Sequence, residues 1–290
     1  MAEDRAKGIA VDAAAPPGFA TAVRQYWDMT PGTASADAAR HISHVLAAAS
    51  RTADWLGRLT PLAAHGERWL DLGCGTADLA VTAPPGVEVT SVDIAFRWLV
   101  VARRRLRESR RDSELLCANA ETLPFADGTF DRVIGLGLIE HCTDHVRVLA
   151  EVRRVLRPGG FVHLRTANRR TVLPEPHVAL FGVSWLPQGL AHRYVRWRGG
   201  TGYQHHHLPS ARTLMVALRV VGFERISVKP AEICGPELER MSPLLGRAAS
   251  AYTLMRQVPG LSIIVRFVAP LLEARAANPQ APVQPDSDSQ

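Results

Sequence analysis

The sequence predicts a three-layer α/β fold in which a doubly wound, mostly parallel sheet of about seven strands lies between helices. Short apolar stretches rich in β-branched residues alternate with amphipathic ones, as in βαβ units. A glycine-rich turn follows the first such stretch, and polar side chains recur where the next ones end. Because parallel strands end at one edge of a sheet, these residues are expected to converge on one ligand site.

Composition allows one large domain and disfavours several classes of protein. The chain has 290 residues, 47% of them hydrophobic, so it can bury a full core. Its net charge of +6 permits an anionic partner, but the arginine runs fall on predicted helix faces, and nucleic acid is therefore disfavoured. No uncharged apolar run reaches the length of about 18 residues that spans a bilayer, while contact with a membrane surface stays open.

The cysteines and the N-terminal stretch predict a reduced, cytoplasmic protein. Cys74, Cys117, Cys142 and Cys234 form no CxxC pair, and the start of the sequence lacks the pattern of a signal peptide. Composition then predicts, in order, a disordered N-terminus over 1–17, a helical cap over 18–64, a main domain over 65–276 and a disordered tail over 277–290. Two insertions are predicted in the main domain, a substrate lid over 169–207 and a helical segment over 231–260.

The glycine-rich turn lies in the stretch WLDLGCGTADLA, residues 69–80. Residues 69–72 have the pattern of a buried strand, and residues 73–77 form a tight turn that opens onto a helix. Glycine at 73 and 75 allows a positive φ and leaves no Cβ between the backbone and a ligand. Main-chain N–H groups at this helix start can therefore face a polar ligand.

The remaining elements follow in regular order. Asp127-Gly128 marks a turn between the third and fourth strands, and Pro158-Gly159-Gly160 is expected to stop the helix before the fifth. Strands are predicted near 87–95, 115–118, 130–136, 161–168 and 223–229, and helices over 96–109, 145–157, 210–221 and 236–257. A last strand at the sheet edge is placed at 271–276, with 262–269 as the alternative.

Asp93 is predicted to bind the ribose of a nucleotide cofactor. It lies 18 residues after Gly75, at the end of the second strand, where a carboxylate can hold a ribose diol. The alternative role is to cap the helix that follows. A dinucleotide is disfavoured as the ligand, because position 78 of a GxGxxG turn would need glycine and carries Asp78, whose charge suits a pyrophosphate poorly.

Taken together, the motifs resemble a known family. The order hhDhGCGTx, an acidic residue ending the second strand, NAExLPFxDGTFDxV, and IEHxxD followed by EVRRVLRPGG is similar to that of the class I S-adenosylmethionine-dependent methyltransferases, type 11 subgroup. The resemblance covers roughly residues 65–168. It implies a Rossmann-like fold, S-adenosylmethionine as cofactor, and methyl transfer as the reaction.

The resemblance also implies roles for particular residues. Gly73, Cys74 and Gly75 would pass under the methionine moiety, and Asp71 would fix the turn and the surroundings of the amino group. The ribose and adenine would be held by Asp93, Ile94, Asn119, Ala120 and Glu121, while Leu136 and Gly137 would lie near the sulfonium. The sequence departs from the family at Ala77, where a third glycine is usual, and at Asn119, where aspartate is common; the amide oxygen of Asn119 can still accept a hydrogen bond from adenine.

Candidate catalytic residues follow the fourth strand. His141 is placed to act as a general base oriented by Glu140, the alternative being that both are structural. His177 and His205, in the predicted lid, are further candidates. No metal is expected, because Gly137 stands where an acidic ligand would help, and the histidines at 205–207 would point apart in an extended strand.

The acceptor is predicted to be a small molecule. An [ND]PP[YFW] run, typical of methylation of nucleobase amines, does not occur in the sequence. An aromatic and histidine-rich lid favours O-methylation of a natural-product, sugar or lipid intermediate. The alternatives are a nucleic-acid methyltransferase that uses Arg193, Arg196 and Arg198 on phosphate, and a protein of this fold with a non-methylating, cyclase or regulatory role.

Overall fold

A seven-stranded mixed sheet forms the centre of the protein in the computed structural model, which describes residues 17–28, 45–46, 48–57, 65–200, 203–232, 243–258 and 260–280. The strands run in the spatial order β3-β2-β1-β4-β5-β7-β6. All pairings are parallel except those that β7 makes with β5 and β6. The strands are β1 (Arg68–Leu72), β2 (Glu88–Asp93), β3 (Glu114–Cys117), β4 (Phe130–Leu136), β5 (Leu156–Ala167), β6 (Glu224–Pro230) and β7 (Leu271–Ala277).

Helices cover both faces of this sheet. The largest apolar cluster joins residues of β4 and β5 to the helices over 145–155 and 211–221, and a second cluster joins Trp55, Trp69 and Leu79 to the opposite side. Both faces of the central strands are thus withdrawn from water, as in parallel sheets generally. The helices are α1 (Pro17–Asp28), α2 (Ala48–Gly57), α3 (Asp78–Thr82), α4 (Phe96–Glu108), α5 (His145–Val155), α6 (Gln188–Trp197), α7 (Ala211–Val221), α8 (Pro243–Gln257) and α9 (Leu261–Val268).

The predicted α/β fold is confirmed. The last strand lies where the sequence predicts it along the chain, but its predicted place at the edge of the sheet is wrong. Leu272, Ala274 and Ala276 are buried in alternation, which explains the strand over 271–277, whereas the alternative stretch is the helix α9. β7 is not at the edge, because it lies between β5 and β6 and pairs antiparallel with both. The edges of the sheet are β3 and β6.

The helix before β5 ends earlier than the sequence predicts. α5 stops at Val155, and Leu156 already pairs with Phe130, so the Pro-Gly-Gly residues lie inside β5 at a register irregularity. A Cβ on Gly160 would approach Asp131 O to 2.9 Å. Glycine at position 160 therefore allows β5 to bend close to β4, and it does not end the helix α5.

The segment between β5 and α7 contains a helix that the sequence analysis did not predict. α6 buries Ala191 and Val195 against Ala167, Val183 and Tyr203. At the other end of the chain, β7 reaches Ala277, and the side-chain amide of Asn278 donates to Leu156 O, so the described structure extends past the predicted tail boundary at 277. The division into domains, with its lid, cap and tails, remains a prediction.

Some predicted features lie outside the described residues: Cys234, the predicted start of the helix over 236–257, residues 1–16 and residues 281–290. Among the described helices, none is both long enough and apolar enough to cross a bilayer.

Candidate functional site

A cavity of about 900 Å³ opens at the carboxyl ends of β1, β2 and β4. Its position is the one expected for a ligand site in a doubly wound sheet. The predicted catalytic residues Glu140, His141 and His177 also line it, whereas His205 does not. The predicted cofactor residues all contribute to the wall, namely Asp71, Gly73, Cys74, Gly75, Asp93, Ile94, Asn119, Ala120, Glu121, Leu136 and Gly137.

The glycine-rich turn is held by its neighbouring strand. The backbone N–H groups of Gly73 and Cys74 both donate to Val92 O, at 2.8 and 2.9 Å. Gly73 has φ +75°, and a Cβ there would approach Leu138 Cδ1 to 2.8 Å, so this position requires glycine. Ala77, where the family usually has a third glycine, is buried and takes the left-handed conformation with φ 57°.

Arg105 of α4 fixes the far side of this turn. Its Nη1 donates to Asp78 Oδ1 at 2.6 Å, to Thr76 O at 2.9 Å and to Thr76 Oγ1 at 3.0 Å. The guanidinium carbon also lies 4.4 Å from the ring centroid of Phe19. The charge of Asp78 is therefore compensated by Arg105, so this charge alone does not exclude a pyrophosphate. The missing glycine at position 78 still disfavours one.

Asp71 is a buried carboxyl group beneath the turn. Its side chain is 4% exposed, and Oδ2 has no hydrogen-bond partner among the described residues. Burial, with the nearby charges of Asp78 and Asp93, raises its pKa well above the usual range. A cationic amino group placed in the cavity would stabilise the ionised carboxylate, so this residue fits the amino group of an amino acid.

Asp93 uses both carboxylate oxygens on the backbone. Oδ2 accepts from Gly75 N and Oδ1 accepts from Ala95 N, each at 2.8 Å. The residue at the helix cap position of α4 is Ala95, so Asp93 shapes the turn before the helix instead of occupying the cap itself. Each carboxylate oxygen can accept a further bond, which leaves capacity for a ligand hydroxyl.

The next part of the wall suits a flat ring. Ile94 lines the cavity and is 68% exposed, so its apolar side chain is open to a ligand. Asn119 Oδ1 accepts from Glu121 N at 2.9 Å, which fixes the loop that carries Ala120. An apolar surface beside a loop of fixed amides can stack on a heterocycle and bond its edge.

Three histidine rings meet at the end of the cavity near β5. The ring centroid of His141 lies 5.1 Å from that of His177 and 5.2 Å from that of His206, and the last two are 4.6 Å apart. Of the three histidines at 205–207, His206 is therefore the one whose ring packs against His141 and His177. His205 forms a hydrogen bond with the ring of His141 through its backbone. Among the described residues no histidine, cysteine and carboxylate group has the geometry of a metal site.

The carboxylate that orients a cavity histidine is Glu175, which sequence reasoning missed. Glu175 is fully buried and accepts from His177 Nδ1 at 2.6 Å and from the backbone N–H of His177 and Val178. Glu140 instead accepts from Thr166 Oγ1 at 2.6 Å and from Ala167 N at 3.2 Å. The usable signal was that Glu175 is the only acidic residue in the sequence between positions 169 and 207.

Burial and charge push the pKa values of these histidines apart. Burial lowers the pKa of His141, and the raising effect of Glu140 does not cancel it. Burial also lowers the pKa of His177, but the hydrogen bond to Glu175 and the charges of Glu175 and Glu140 outweigh it, so the pKa of His177 is raised. The pKa of His206 falls to about 3 through burial and its histidine neighbours. The site thus combines one imidazole whose neutral form is favoured with another whose protonated form is favoured.

Comparison with known proteins agrees with this geometry. Residues 70–164 match the family described as "Methyltransferase domain". The chain is 36% identical over 169 residues to the ubiquinone/menaquinone biosynthesis C-methyltransferase UbiE of Acidiphilium cryptum, a stretch that covers 55% of this chain and 67% of that protein. The chain belongs to the class I S-adenosylmethionine-dependent methyltransferases, type 11 subgroup.

Two further likenesses bear on this methyltransferase. It is 34% identical over 147 residues to the ubiquinone biosynthesis O-methyltransferase of Thiobacillus denitrificans, covering 49% of this chain and 62% of that one, which is less than two thirds of its length. Its fold is similar to that of phosphoethanolamine N-methyltransferase 2 of Haemonchus contortus, solved with S-adenosylmethionine (TM-score 0.55, 20% identity, 80% of this chain, 53% of that chain). As a member of this family, this methyltransferase uses S-adenosylmethionine as its cofactor.

Proposed function

We propose that this methyltransferase acts in the cytoplasm and transfers a methyl group to an oxygen of a small-molecule acceptor, with His141 as the general base. The observation that carries the proposal is that His141 lines the same cavity as the glycine-rich turn and is kept neutral by burial. The names of the relatives, which include a C-methyltransferase and an O-methyltransferase of quinone biosynthesis, support a small-molecule acceptor.

We assign the cofactor to the end of the cavity formed by β1 and β2. Asp71 would hold the amino group, Asp93 the ribose hydroxyls, and Ile94 with Asn119 and Ala120 the adenine. When bound, S-adenosylmethionine supplies an electrophilic methyl group on a sulfonium. The support from the structure is the orphaned, buried Asp71 Oδ2 and the position of the glycine-rich turn in the cavity wall.

The chain's own residues align the acceptor and remove one proton. The unprotonated His141 accepts the proton of the acceptor hydroxyl, which makes the oxygen a competent nucleophile. The cavity wall holds that oxygen in line with the methyl carbon, and alignment of this kind lowers the barrier without any further group. Thr166 and Ala167 fix Glu140 next to His141, so the base is attached to the rigid end of β5.

We expect Asp93→Ala to weaken binding of S-adenosylhomocysteine by about 10- to 100-fold, because a hydrogen bond to a charged group contributes roughly 1.5–3 kcal/mol. Titration calorimetry measures the dissociation constant. Since Asp93 also holds Gly75 N and Ala95 N, the variant must be compared with a ligand that lacks the ribose hydroxyls.

The 2′,3′-dideoxy analogue of S-adenosylhomocysteine provides that comparison. Wild type and Asp93→Ala should bind the analogue with nearly equal affinity if the carboxylate holds the diol. An equal loss for both ligands would show that the substitution only loosens the turn, and the ribose assignment would be wrong. Asp112→Ala, in an exposed turn, serves as the control for removal of a carboxylate.

The acceptor class is tested by following release of S-adenosylhomocysteine with a panel of hydroxyl, amine and carbon acceptors and with RNA and DNA. Turnover with hydroxyl compounds that is insensitive to salt is expected, whereas turnover restricted to nucleic acid and lost at high salt would support the rival function. No turnover despite cofactor binding would favour a non-methylating role.

Contact with a membrane surface is tested by adding anionic vesicles. Such contact is supported by the exposed side chains of Leu190 and Trp197, which lie beside Arg193 on α6.

A further inference from the structure

We propose that the Glu175–His177 pair is an anion-binding arm of the acceptor site, and that the acceptor is therefore an acidic hydroxyl compound, a phenol or an enol, bound through its oxygen as the anion. This proposal rests on the function proposed above and specifies its substrate class.

One ring nitrogen of His177, Nδ1, is bound by Glu175, and the other, Nε2, is left for the cavity. Nδ1 is engaged by Glu175 Oε1 at 2.6 Å, while Nε2 lies 3.9 Å from Glu140 Oε1. The second distance is longer than an N–H···O hydrogen bond, which ends near 3.2 Å. Because His177 lines the cavity, its Nε2–H can bond an oxygen that enters there. The paired carboxylate fixes the tautomer and the ring orientation.

Within the pair, the His177 ring is the group that favours an oxyanion, because Glu175 is bound at Nδ1 and Nε2 is the nitrogen left for the cavity. The hydrogen bond to the fully buried Glu175 and the nearby charge of Glu140 outweigh burial and raise the pKa of His177, which favours its protonated form. The groups facing this ring are Glu175 on its own segment, Glu140 and His141 after β4, and His206 before α7. A cationic donor in a site withdrawn from water stabilises negative charge as it develops.

The two histidines can act on one oxygen atom. Their ring centroids are 5.1 Å apart and the rings are nearly perpendicular at 80°. One oxygen can lie within hydrogen-bond distance, about 2.6–3.2 Å, of a nitrogen of each ring. His141 would accept the proton and His177 would hold the anion that remains. An aliphatic alcohol gains less from this arrangement, because its proton is too weakly acidic for an imidazole to remove.

Methyl transfer breaks the acceptor O–H bond and the bond between sulfur and the methyl carbon. The acceptor O–H bond breaks and its proton goes to His141, leaving the electron pair on oxygen. That electron pair, or the ring or enol carbon to which it delocalises, forms the bond to the methyl carbon. The bond between the methyl carbon and sulfur breaks, its electrons return to sulfur, and S-adenosylhomocysteine leaves; the proton on His141 passes to water. The same anion thus serves O-methylation and C-methylation, the two reactions named for the relatives.

The direct test uses 4-nitrophenol, whose anion absorbs visible light, bound to the protein in the presence of S-adenosylhomocysteine. An opposite charge within hydrogen-bond distance lowers a pKa by about one unit or more. We expect the bound phenol to ionise at a pH at least about one unit below that of the free phenol in wild type. In His177→Asn and in Glu175→Gln this shift should be lost. Glu88→Gln, which removes an exposed carboxylate on β2, should keep it.

The rate gives an independent measurement. We expect kcat/KM for a phenolic acceptor to rise with pH through the lowered pKa of His141 and to fall again above the raised pKa of His177. Glu175→Gln should move the falling limb to lower pH, and His177→Asn should remove it. If His177→Asn does not fold, as checked by its thermal transition, His177→Gln replaces it.

Three outcomes would overturn the proposal: no binding of 4-nitrophenol, the same ionisation of the bound phenol in wild type and in His177→Asn, or turnover of aliphatic alcohols or amines in preference to phenols. In the last case release of S-adenosylhomocysteine would still support methyl transfer. The proposed function itself fails if none of the small-molecule hydroxyl compounds releases S-adenosylhomocysteine, whether or not amines, carbon acceptors or nucleic acids do.

Discussion

Replacement of His141 by asparagine is expected to lower kcat by about 10²- to 10⁴-fold, the usual contribution of a positioned general base. Burial keeps the pKa of His141 below its usual value, so the neutral, basic form predominates at pH 7 and is lost as the pH falls. The wild-type rate should therefore rise with pH through a pKa below about 6.5, and this limb should be absent in the variant. Steady-state assays of S-adenosylhomocysteine release measure both effects.

The control for this prediction is His145→Asn. His145 lies four residues further along the chain and is not part of the cavity wall, so its replacement should leave kcat nearly unchanged. Binding of S-adenosylhomocysteine should be the same in both variants and in the wild type. An unaltered rate and pH profile in His141→Asn would mean that alignment of the reactants alone accounts for catalysis.

Arg105→Met is expected to cost about 3–5 kcal/mol of folding free energy, because it removes one partner of a buried ion pair and leaves the other. Arg105 is 2% exposed, and without it Asp78, Thr76 O and the Phe19 ring each lose their contact with its guanidinium. Since these contacts hold the glycine-rich turn, cofactor affinity should fall as well. Urea unfolding gives the first quantity and calorimetry the second.

Two further variants separate charge from packing. Asp78→Asn in the Arg105→Met background removes the uncompensated carboxylate, so the double variant should be more stable than Arg105→Met alone. Arg103→Met removes an exposed charge from the same helix and should change stability by no more than about 0.5 kcal/mol. A loss in Arg105→Met as small as that in Arg103→Met would contradict the structural role.

Local patterns predicted the strands that line the candidate cofactor site. The bounds predicted for β4 are those of the structure, and the second and third strands differ from prediction by one or two residues at each end. These strands are short apolar runs between clear turns, so the hydrophobic pattern and the turn residues are enough to find them. Convergence of the strand ends on one cavity followed from the parallel topology alone.

Contacts between distant segments could not be predicted from local sequence patterns. The bond between His177 and Glu175 joins two neighbouring residues, yet their place beside His141 depends on how residues 169–200 fold onto the sheet. α6 has no clear signal because its apolar residues are interleaved with histidine and arginine, and its burial is set by Val183 and Tyr203. Arg105 looks like one more residue of a basic helix, although it is the one that turns inward.

The inner position of β7 bears on how the protein is made. During synthesis on the ribosome, β5 and β6 emerge well before Leu271–Ala277, so the place between them is vacant while both have an unsatisfied backbone edge. A nascent chain in that state can pair β5 with β6 directly or with another molecule, and either pairing must be undone before β7 enters. The sheet can therefore be completed only after β7 has left the ribosome. We expect deletion of β7, Leu271–Ala277, to reduce the yield of native protein more than a deletion of equal length within α1, Pro17–Asp28.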